Sequence, residues 1–536
     1  MGISAYVGVF TVLATDPINT PVTLSGMVDG QGQTFTPKAV LFFMSGKGFE
    51  EADGHSPSWT CVGMDDGGGT NHYSFETGTR WLAGVPWVGN DNSGQGSFGR
   101  AHGVFANSIR VLGKVTAFGS GSLTYQLSVN FGDADTTYGY VAVGGSDLEC
   151  AVGYVDFGTS SGAKTVSGLP FRPTGGIVIP GYQSGSGSGG NLFRTNPCIG
   201  FADQALNQYT ATAGVVGLVG PAVSRTYQVP NYVSAELDAT VNPPIVTPNL
   251  AITGWTADGF TCNYVYQDNS KFAYMVFGSA ITEVGALTQP TTDGSFTLIS
   301  TVGGPAVMFA ASCGAVASSG LHDGMHYSIG ASTGRDQAVG WTAVENGATD
   351  SAGGGALYGA QASIVFTGTQ TGSTSAATTK TGELAITGLA ANVFFGQWLH
   401  CDGTQRQVAY FIMGVASPPA PSGTTFSTRR VRRFPHVSEA QMWLFWRRLQ
   451  IDIQAGAALI SGQGSDPQIM LRWSDDGGHT WSPEQWRSAG LRGQYGARAV
   501  WQQLGRSRDR VYELVVSDPV PWVFLQALAV VEKGVS

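Results

Sequence analysis

Few residues in this sequence have both the type and the spacing to do chemistry. His322-Asp-Gly-Met-His326 sets two imidazoles four residues apart, a spacing that suits metal ligands on one helix face. Gly324 and the Ser-rich flank favour a loop instead, and no third ligand stands nearby. His326-Tyr327 also reads as a repeat position, in the slot of His72-Tyr73 and Gln208-Tyr209. Asp133-Ala-Asp135 and Asp65-Asp66-Gly-Gly-Gly offer oxygen ligands to calcium, but neither follows the D-x-D-x-D-G order, so solvated turns are expected. There is no Walker loop, dinucleotide fingerprint or nucleophile elbow, and the loop acids are too scattered to single out a catalytic pair. No catalytic residue, cofactor or metal is expected.

Arginine offers a different chemistry, because its planar fork matches carboxylates and phosphates. Residues 1–428 carry 14 Lys+Arg against 27 Asp+Glu, whereas residues 429–536 carry 14 against 10, and 13 of those 14 are Arg. A break of that kind marks a domain boundary. The cluster Arg429, Arg430, Arg432 and Arg433 opens the basic segment, and Arg472, Arg487 and Arg498 follow. Their plainer reading is interface and surface ion pairs; the sharper one is contact with an acidic partner or a polyanion.

The elements that must position these residues are strands. Of 536 residues, 77 are Gly and only 12% are charged, while 42% are hydrophobic and 11% aromatic. Disordered chains lack such core-forming residues, and long surface helices and coiled coils need more charge. Short strands and tight turns fit. The six cysteines are thinly spread with no C-x-x-C pair, which fits free, mostly buried thiols in a reducing compartment. No secretory signal or membrane-spanning run is expected.

Four landmarks recur in the same order. They are Val7-Gly8, Val152-Gly153 and Val284-Gly285; Pro37, Pro173 and Pro305 leading into apolar runs; Cys61-Val-Gly63, Cys198-Ile-Gly200 and Cys313-Gly314; and the pattern Tyr-h-h-h-Gly (h, mostly apolar) at Tyr140–Gly144, Tyr274–Gly278 and Tyr410–Gly414. The Tyr marks lie 134 and 136 residues apart, the Pro marks 136 and 132, the Val-Gly marks 145 and 132. The excess in the first copy falls between Gly26 and Gln33, which reads as a loop. A period this long exceeds solenoid or propeller-blade repeats of about 20–50 residues, so each copy is expected to be a domain. The chain is expected to be all-β, with three tandem β-sandwich or jelly-roll-like domains at 1–147, 148–281 and 282–416. A Pro/Ser linker at 417–428 and a smaller β-rich domain at 429–536 complete it. The Tyr-h-h-h-Gly strand, apolar on both faces, is expected to be central. Gln183–Gly190 and Thr369–Lys380 read as flexible loop insertions.

In the last segment, alternation at Leu449, Ile451 and Ile453 favours a strand over a helix. Ser474-x-Asp476-x-Gly478-x-Thr480-Trp481 fits S-x-D-x-G-x-T-W, the Asp box found in sialidase-like propellers. Its short polar side chains hold loop N–H groups, Gly accepts positive φ and Trp covers the turn. One copy indicates one hairpin in an all-β domain, not a glycosidase. A longer pattern carries more: Asp466-Pro-Gln-Ile-Met-Leu-Arg472-Trp-Ser474, Glu484-x-Trp486-Arg487-Ser488, Gly493-x-Tyr495, Arg498, Trp501, Ser507-Arg-Asp-Arg-Val511 and Ser517-Asp-Pro-Val520. This segment, about the last 100 residues, resembles the packaged-DNA stabilisation (tail hub or nozzle) proteins of short-tailed bacteriophages. Residues 1–416 instead resemble tandem β-modules of uncharacterised phage structural proteins, whereas the hub family's main body is a β-propeller.

The resemblance implies a non-enzymatic virion component, made in the host cytoplasm and stationed in the tail below the portal and adaptor. There it would form a ring-shaped homo-oligomer, with a hexamer implied, and help retain packaged DNA. Neighbouring tail or adaptor proteins are the expected partners of the arginines. DNA is the less favoured one, because tight basic contacts would retard a sliding duplex. A rival reading is a tail-associated receptor- or glycan-binding protein, with Trp81, Trp87 and Trp255 stacking on sugars. A weaker one is a sialidase-like hydrolase.

Overall fold

A computed structural model describes residues 2–47, 58–69, 71–82, 85–91, 96–101, 109–132, 135–158, 160–180, 194–195, 197–216, 223–238, 245–265, 270–314, 322–323, 325–344, 353–358, 364–371, 377–390, 392–415, 430–440, 442–453, 465–517 and 524–534. Their regular elements are strands paired in antiparallel sheets, so the fold is all-β. The chain divides into two compact units, Met1–Pro418 and Pro419–Ser536. The division falls in the Pro/Ser segment read as a linker, whose residues 417–428 lie outside the described residues, as do 181–193.

Within the first unit one strand order occurs three times. In the first copy a six-stranded sheet runs Ser4–Val12, Thr136–Gly144, Pro37–Lys47, Ser58–Asp65, His72–Leu82, Val85–Asp91. A four-stranded sheet runs Pro21–Ser25, Ser122–Asn130, Ile109–Gly119, Phe98–Ala101. The larger sheet of the second copy starts Glu149–Gly158, Ser270–Gly278, Pro173–Pro180, and that of the third starts Ile281–Thr288, Gln407–Val415, Gly304–Ser312. Four-stranded sheets accompany both.

The landmarks read from the sequence are contacts. Gly8 pairs with Tyr140, Gly153 with Tyr274 and Gly285 with Tyr410. Each tyrosine leans over its cross-strand glycine, and a Cβ on Gly8 would come within 2.8 Å of the Tyr140 hydroxyl. An aromatic ring thereby covers backbone that glycine leaves bare. At the far end of the same strands, Pro37, Pro173 and Pro305 sit opposite Gly144, Gly278 and Gly414, each beside a register shift. Proline lacks an N–H, and the first residues of a strand are where that costs least.

The Tyr-h-h-h-Gly strand lies between two neighbours in its sheet and is buried on both faces. Tyr138, Tyr140 and Ala142 face the core of their own sandwich, while Val141 and Val143 face the opposite way. Phe272, Tyr274 and Val276 alternate likewise with Ala273, Met275 and Phe277, and Val408, Tyr410 and Ile412 with Ala409, Phe411 and Met413. The second set from all three copies forms one shared core. Within it the Phe411 ring lies 5.9 Å from Phe201, 5.8 Å from Phe277 and 6.0 Å from Phe309. Each large sheet is thus a middle layer between its smaller sheet and the other two copies.

Three readings of the sequence need correction. Gly63 and Gly200 lie where a Cβ would strike the backbone carbonyls of Ser97 and Val233; the third-copy glycine in this position is Gly330, against Ile364, not Gly314. The partner of Cys61 and Cys198 is therefore Ser328, because the site requires only a small buried side chain two residues before the glycine. His326-Tyr327 is not the slot of Gln208-Tyr209, since it lies one strand earlier. The slot belongs to Gln337, whose amide exchanges two hydrogen bonds of 3.0 Å with the Ile386 backbone, as Gln208 does with Ile252. Finally, Thr369–Lys380 is not all loop: Thr369 pairs with Thr379 and Thr371 with Ala377, because β-branched threonine sustains a strand even in a low-complexity run.

The acids read as turns are structural where described. Asp65 is fully buried and accepts from the Ser97 hydroxyl, Gly67 N at 2.6 Å and Val115 N at 3.2 Å. Asp66 accepts from Gly68 N and the Asn71 amide, and Asp135 from Ala14 N; Asp133 and Ala134 lie outside the described residues. The backbone at His322 and Asp323 pairs with Thr226 and Arg225. All six cysteines are free thiols. The Trp255 indole donates to the Asp203 carbonyl at 2.9 Å and meets Phe260 edge-on. The side chains of Trp81 and Trp87 lie outside the described set.

Two predictions follow the packing. Gly200→Ala should cost about 2 kcal/mol or more, because the obstacle is backbone that cannot rotate away. Gly294→Ala, whose Cβ meets nothing within 4 Å, should change stability by less than about 0.5 kcal/mol; denaturant unfolding of the full chain reads both. Burial pushes the Asp65 carboxyl up to about 6, so the folded state holds its proton more tightly than the unfolded chain. Its contribution to stability is full below 3.8 and falls as pH rises from there to about 6. Carbon-13 titration of the Asp65 carboxyl should show a midpoint near 6.

Candidate functional site

The second unit is a pair of sheets over one core. One sheet runs Arg430–Arg433, Asp509–Val516, Gln468–Ser474, Gln485–Ser488. In the other, Leu444–Ile453 pairs with Ala499–Gln502 and Arg506–Ser507 on one side and Phe524–Lys533 on the other. Trp446, Ile451, Leu471, Trp501, Tyr512 and Leu514 lead the apolar filling. The alternation that favoured a strand at Leu449, Ile451 and Ile453 is this inward face.

Neighbouring strands place Arg433, Glu513 and Arg472 side by side, with Glu513 in the middle. Arg433 donates to one Glu513 oxygen through Nε at 3.2 Å and Nη2 at 2.9 Å, and Arg472 to the other through Nε at 2.6 Å and also through Nη2. The carboxylate is 1% exposed and its partner Arg472 is largely buried, whereas Arg433 reaches it from a side chain 59% exposed. Trp481 covers the trio, its ring centroid 4.9 Å from the Arg433 guanidinium carbon and 4.7 Å from that of Arg472.

Trp481 reaches that position from the turn after Ser474. Asp476 accepts from the Ser474 hydroxyl at 2.6 Å and from Thr480 through both N–H (2.9 Å) and hydroxyl (2.6 Å). Gly478 N donates to Ser474 Oγ at 2.8 Å, and the Trp481 indole donates to the Gly478 carbonyl at 3.1 Å. Gly477 and Gly478 take φ of 75° and 100°, a region glycine occupies without strain. The hydrogen bonds from Ser474 and Thr480 hold the Asp476 carboxyl well below its usual range. Its contribution is present above 3.8 and is lost as pH falls into the acid range. The turn thus folds a lid onto the Arg–Glu–Arg row.

The arginines singled out from the sequence divide between structure and surface. Arg433 and Arg472 serve the row just described. Arg432 is exposed, its guanidinium carbon 5.0 Å from the centroid of the Phe524 ring. Arg487 donates to the carbonyls of Val500 and Trp486, and Arg498 lies 3.9 Å from Asp452 while largely exposed. The side chain of Arg430 and all of Arg429 lie outside the described residues. Sequence reasoning missed Glu513, whose signal was one acid inside the apolar run Val511–Val516. It also missed Arg510, 2% exposed, which forks onto Asp475 at 2.5 and 2.7 Å.

Several large apolar side chains of this unit remain outward, among them aromatic types common at interfaces. Trp486 is 53% exposed and Tyr495 81%, with Leu491 also exposed. Leu491 and Tyr495 sit on a loop tied by Gln494, whose N donates to the Leu491 carbonyl at 2.9 Å and whose Oε1 accepts from Leu491 N at 3.0 Å. Aromatic residues and arginine on an ordered loop supply large contact area at low ordering cost.

Residues 429–532 match the family described as Bacteriophage P22 Gp10, beta-sandwich. A comparison with curated proteins gives no match. The second unit is therefore similar to the β-sandwich of a phage tail-related family, and the two sheets described above are its layers.

Glu513→Ala should destabilise the second unit by about 3 kcal/mol, since it leaves two arginines facing each other without their shared partner. Arg433→Gln, at a side chain 59% exposed, should cost no more than about 1 kcal/mol. Tryptophan fluorescence during denaturant unfolding follows both, because Trp481 loses its cations with the row.

Proposed function

We propose that the protein is a non-enzymatic structural component of a bacteriophage tail, a hub or nozzle subunit that assembles as a ring around the tail axis. The observation that carries this reading is the match of residues 429–532 to the phage P22 Gp10 β-sandwich. In this reading the second unit is the docking piece. Trp486, Leu491 and Tyr495, with Arg487 and Arg498 beside them in sequence, meet acidic loops of a neighbouring subunit or adaptor protein. The first unit extends the tail channel beyond the adaptor and helps retain the packaged genome. Arg433 and Arg472 support docking indirectly, since their charges are spent on Glu513.

A closed ring built from identical subunits needs a heterologous contact whose rotation closes, and the resemblance of the last segment to hub proteins implies six copies. Reconstruction of tails from purified particles should find the chain in an axial ring. Trp486→Ala with Tyr495→Ala should leave the fold intact, because both side chains are mostly exposed, and should abolish incorporation into particles. A chain absent from mature virions, or a double variant incorporated as well as the parent, would refute the proposal.

A further inference from the structure

The three copies are not joined alike. Chain continuity links the first to the second and the second to the third, whereas the first and third meet only through non-covalent contacts. Where the second and third copies meet, the turn after Cys198–Ala202 closes the joint. Asp203 Oδ2 accepts from Val284 N at 3.1 Å, and Gln204 N donates to Thr282 Oγ1 at 3.0 Å. The corresponding turn of the third copy carries Thr333, which closes back on its own turn, its N donating to the Asp336 carbonyl at 3.0 Å. Here, between the first and third copies, lies an open cleft of about 900 Å³.

One wall is the segment that made the first copy longer in sequence. Residues 26–36 connect Pro21–Ser25 to Pro37–Lys47, where the other copies use only 167–172 and 300–303. This loop is held from within and below. Asp29 Oδ1 accepts from Gln31 N (3.0 Å) and Gln33 N (2.9 Å), and its Oδ2 from the Ser4 hydroxyl (2.9 Å). Met27 and Phe35 anchor it in the core of the first sandwich. The wall is preformed.

Its charge is anomalous. Residues 1–428 hold 14 Lys+Arg against 27 Asp+Glu, yet two of those cations, Lys38 and Arg335, line this one cleft from opposite copies. Lys38 spends one donor on the Leu148 carbonyl at 2.6 Å and keeps two. Arg335 Nε lies 3.7 Å from Asp336, and its Nη1 extends to within 3.8 Å of where a Cβ on Gly32 would stand, on the opposite wall. Among the described residues the one acid lining the cleft, Asp29, is already bonded to its own loop and to Ser4. The same cleft is lined by Ser4, Gln31, Thr34, Thr36 and Ser146. Hydroxyls and amides suit hydroxyls on a ligand; two cations lining one cleft suit an oxyanion.

We propose that this cleft binds a small oxyanion carried on a hydroxylated frame, a sugar acid or sugar phosphate. The anion bridges Lys38 of the first copy and Arg335 of the third, and binding clasps the joint that the chain does not cross. A ligand held by the folded state alone raises its stability by mass action.

Calorimetric titration of the full-length protein with glucuronate, glucose 6-phosphate and neutral glucose tests this, with thermal unfolding in parallel. At least one of the two anions should bind at millimolar concentration and raise the unfolding midpoint, while glucose does neither; the tighter anion tells carboxylate from phosphate. Arg335→Gln and Lys38→Gln should each weaken binding about tenfold, the worth of a charge-assisted hydrogen bond. Arg335 is half-exposed, so its variant folds; Arg487→Gln in the second unit should leave binding unchanged. No heat with either anion, equal binding of glucose, or binding unmoved by both cleft variants would overturn the proposal.

Discussion

The first unit depends on strands that are apolar on both faces. A middle-layer sheet must present one set of side chains to its own sandwich and the alternate set to the shared core, and period-two geometry provides this only if register never slips. The glycine–tyrosine pairs serve as register pins. Tyr140, Tyr274 and Tyr410 can each lie flat over a neighbouring strand only where that strand has no side chain. A slip of one residue would drive the ring into Val7 or Val9 in the first copy and exchange the two faces throughout the sheet. Proline facing glycine at the other end of the same strand fixes the register a second time.

Much of this could be read from the sequence, because the pins are chemically unusual residues at fixed spacing. The repeat, the central position of the Tyr-h-h-h-Gly strand and the all-β class were all legible from glycine, proline, tyrosine and apolar alternation. The alignment failed where a position requires only a size. Cys61, Cys198 and Ser328 are each small and buried, so following cysteine led to Cys313 instead. It failed again where the role is hydrogen bonding, since Gln208 and Gln337 share a slot through their amides and not through the neighbouring tyrosine. The shared core was not legible at all. Nothing in a two-sided apolar strand tells whether its second face meets another sheet of the same sandwich or another copy.

In the second unit the sequence showed the parts without their assembly. Arg433, Arg472 and Trp481 each stood out, but their common partner is a single acid on a strand otherwise filled with apolar residues. Reading all seven arginines alike as docking residues obscured the fact that Arg433 and Arg472 neutralise Glu513 and carry the indole that the Asp476 turn delivers. Electrostatics here builds the scaffold, while Trp486 and Tyr495 are left exposed. The division suits the physics: the buried Glu513–Arg472 pair is screened little by salt, and an exposed aromatic side chain is free to be buried.

Writing three sandwiches into one polypeptide has a consequence that three identical chains could not have. In a homotrimer any change at one joint appears at every joint, so a pocket, a charge or a longer loop comes in threes or not at all. Here the joints mutate independently. The second and third copies could be sealed by Asp203 while the first and third acquired a basic recess, and neither choice constrained the other. Fusion turns a symmetric scaffold into one that can specialise one side at a time.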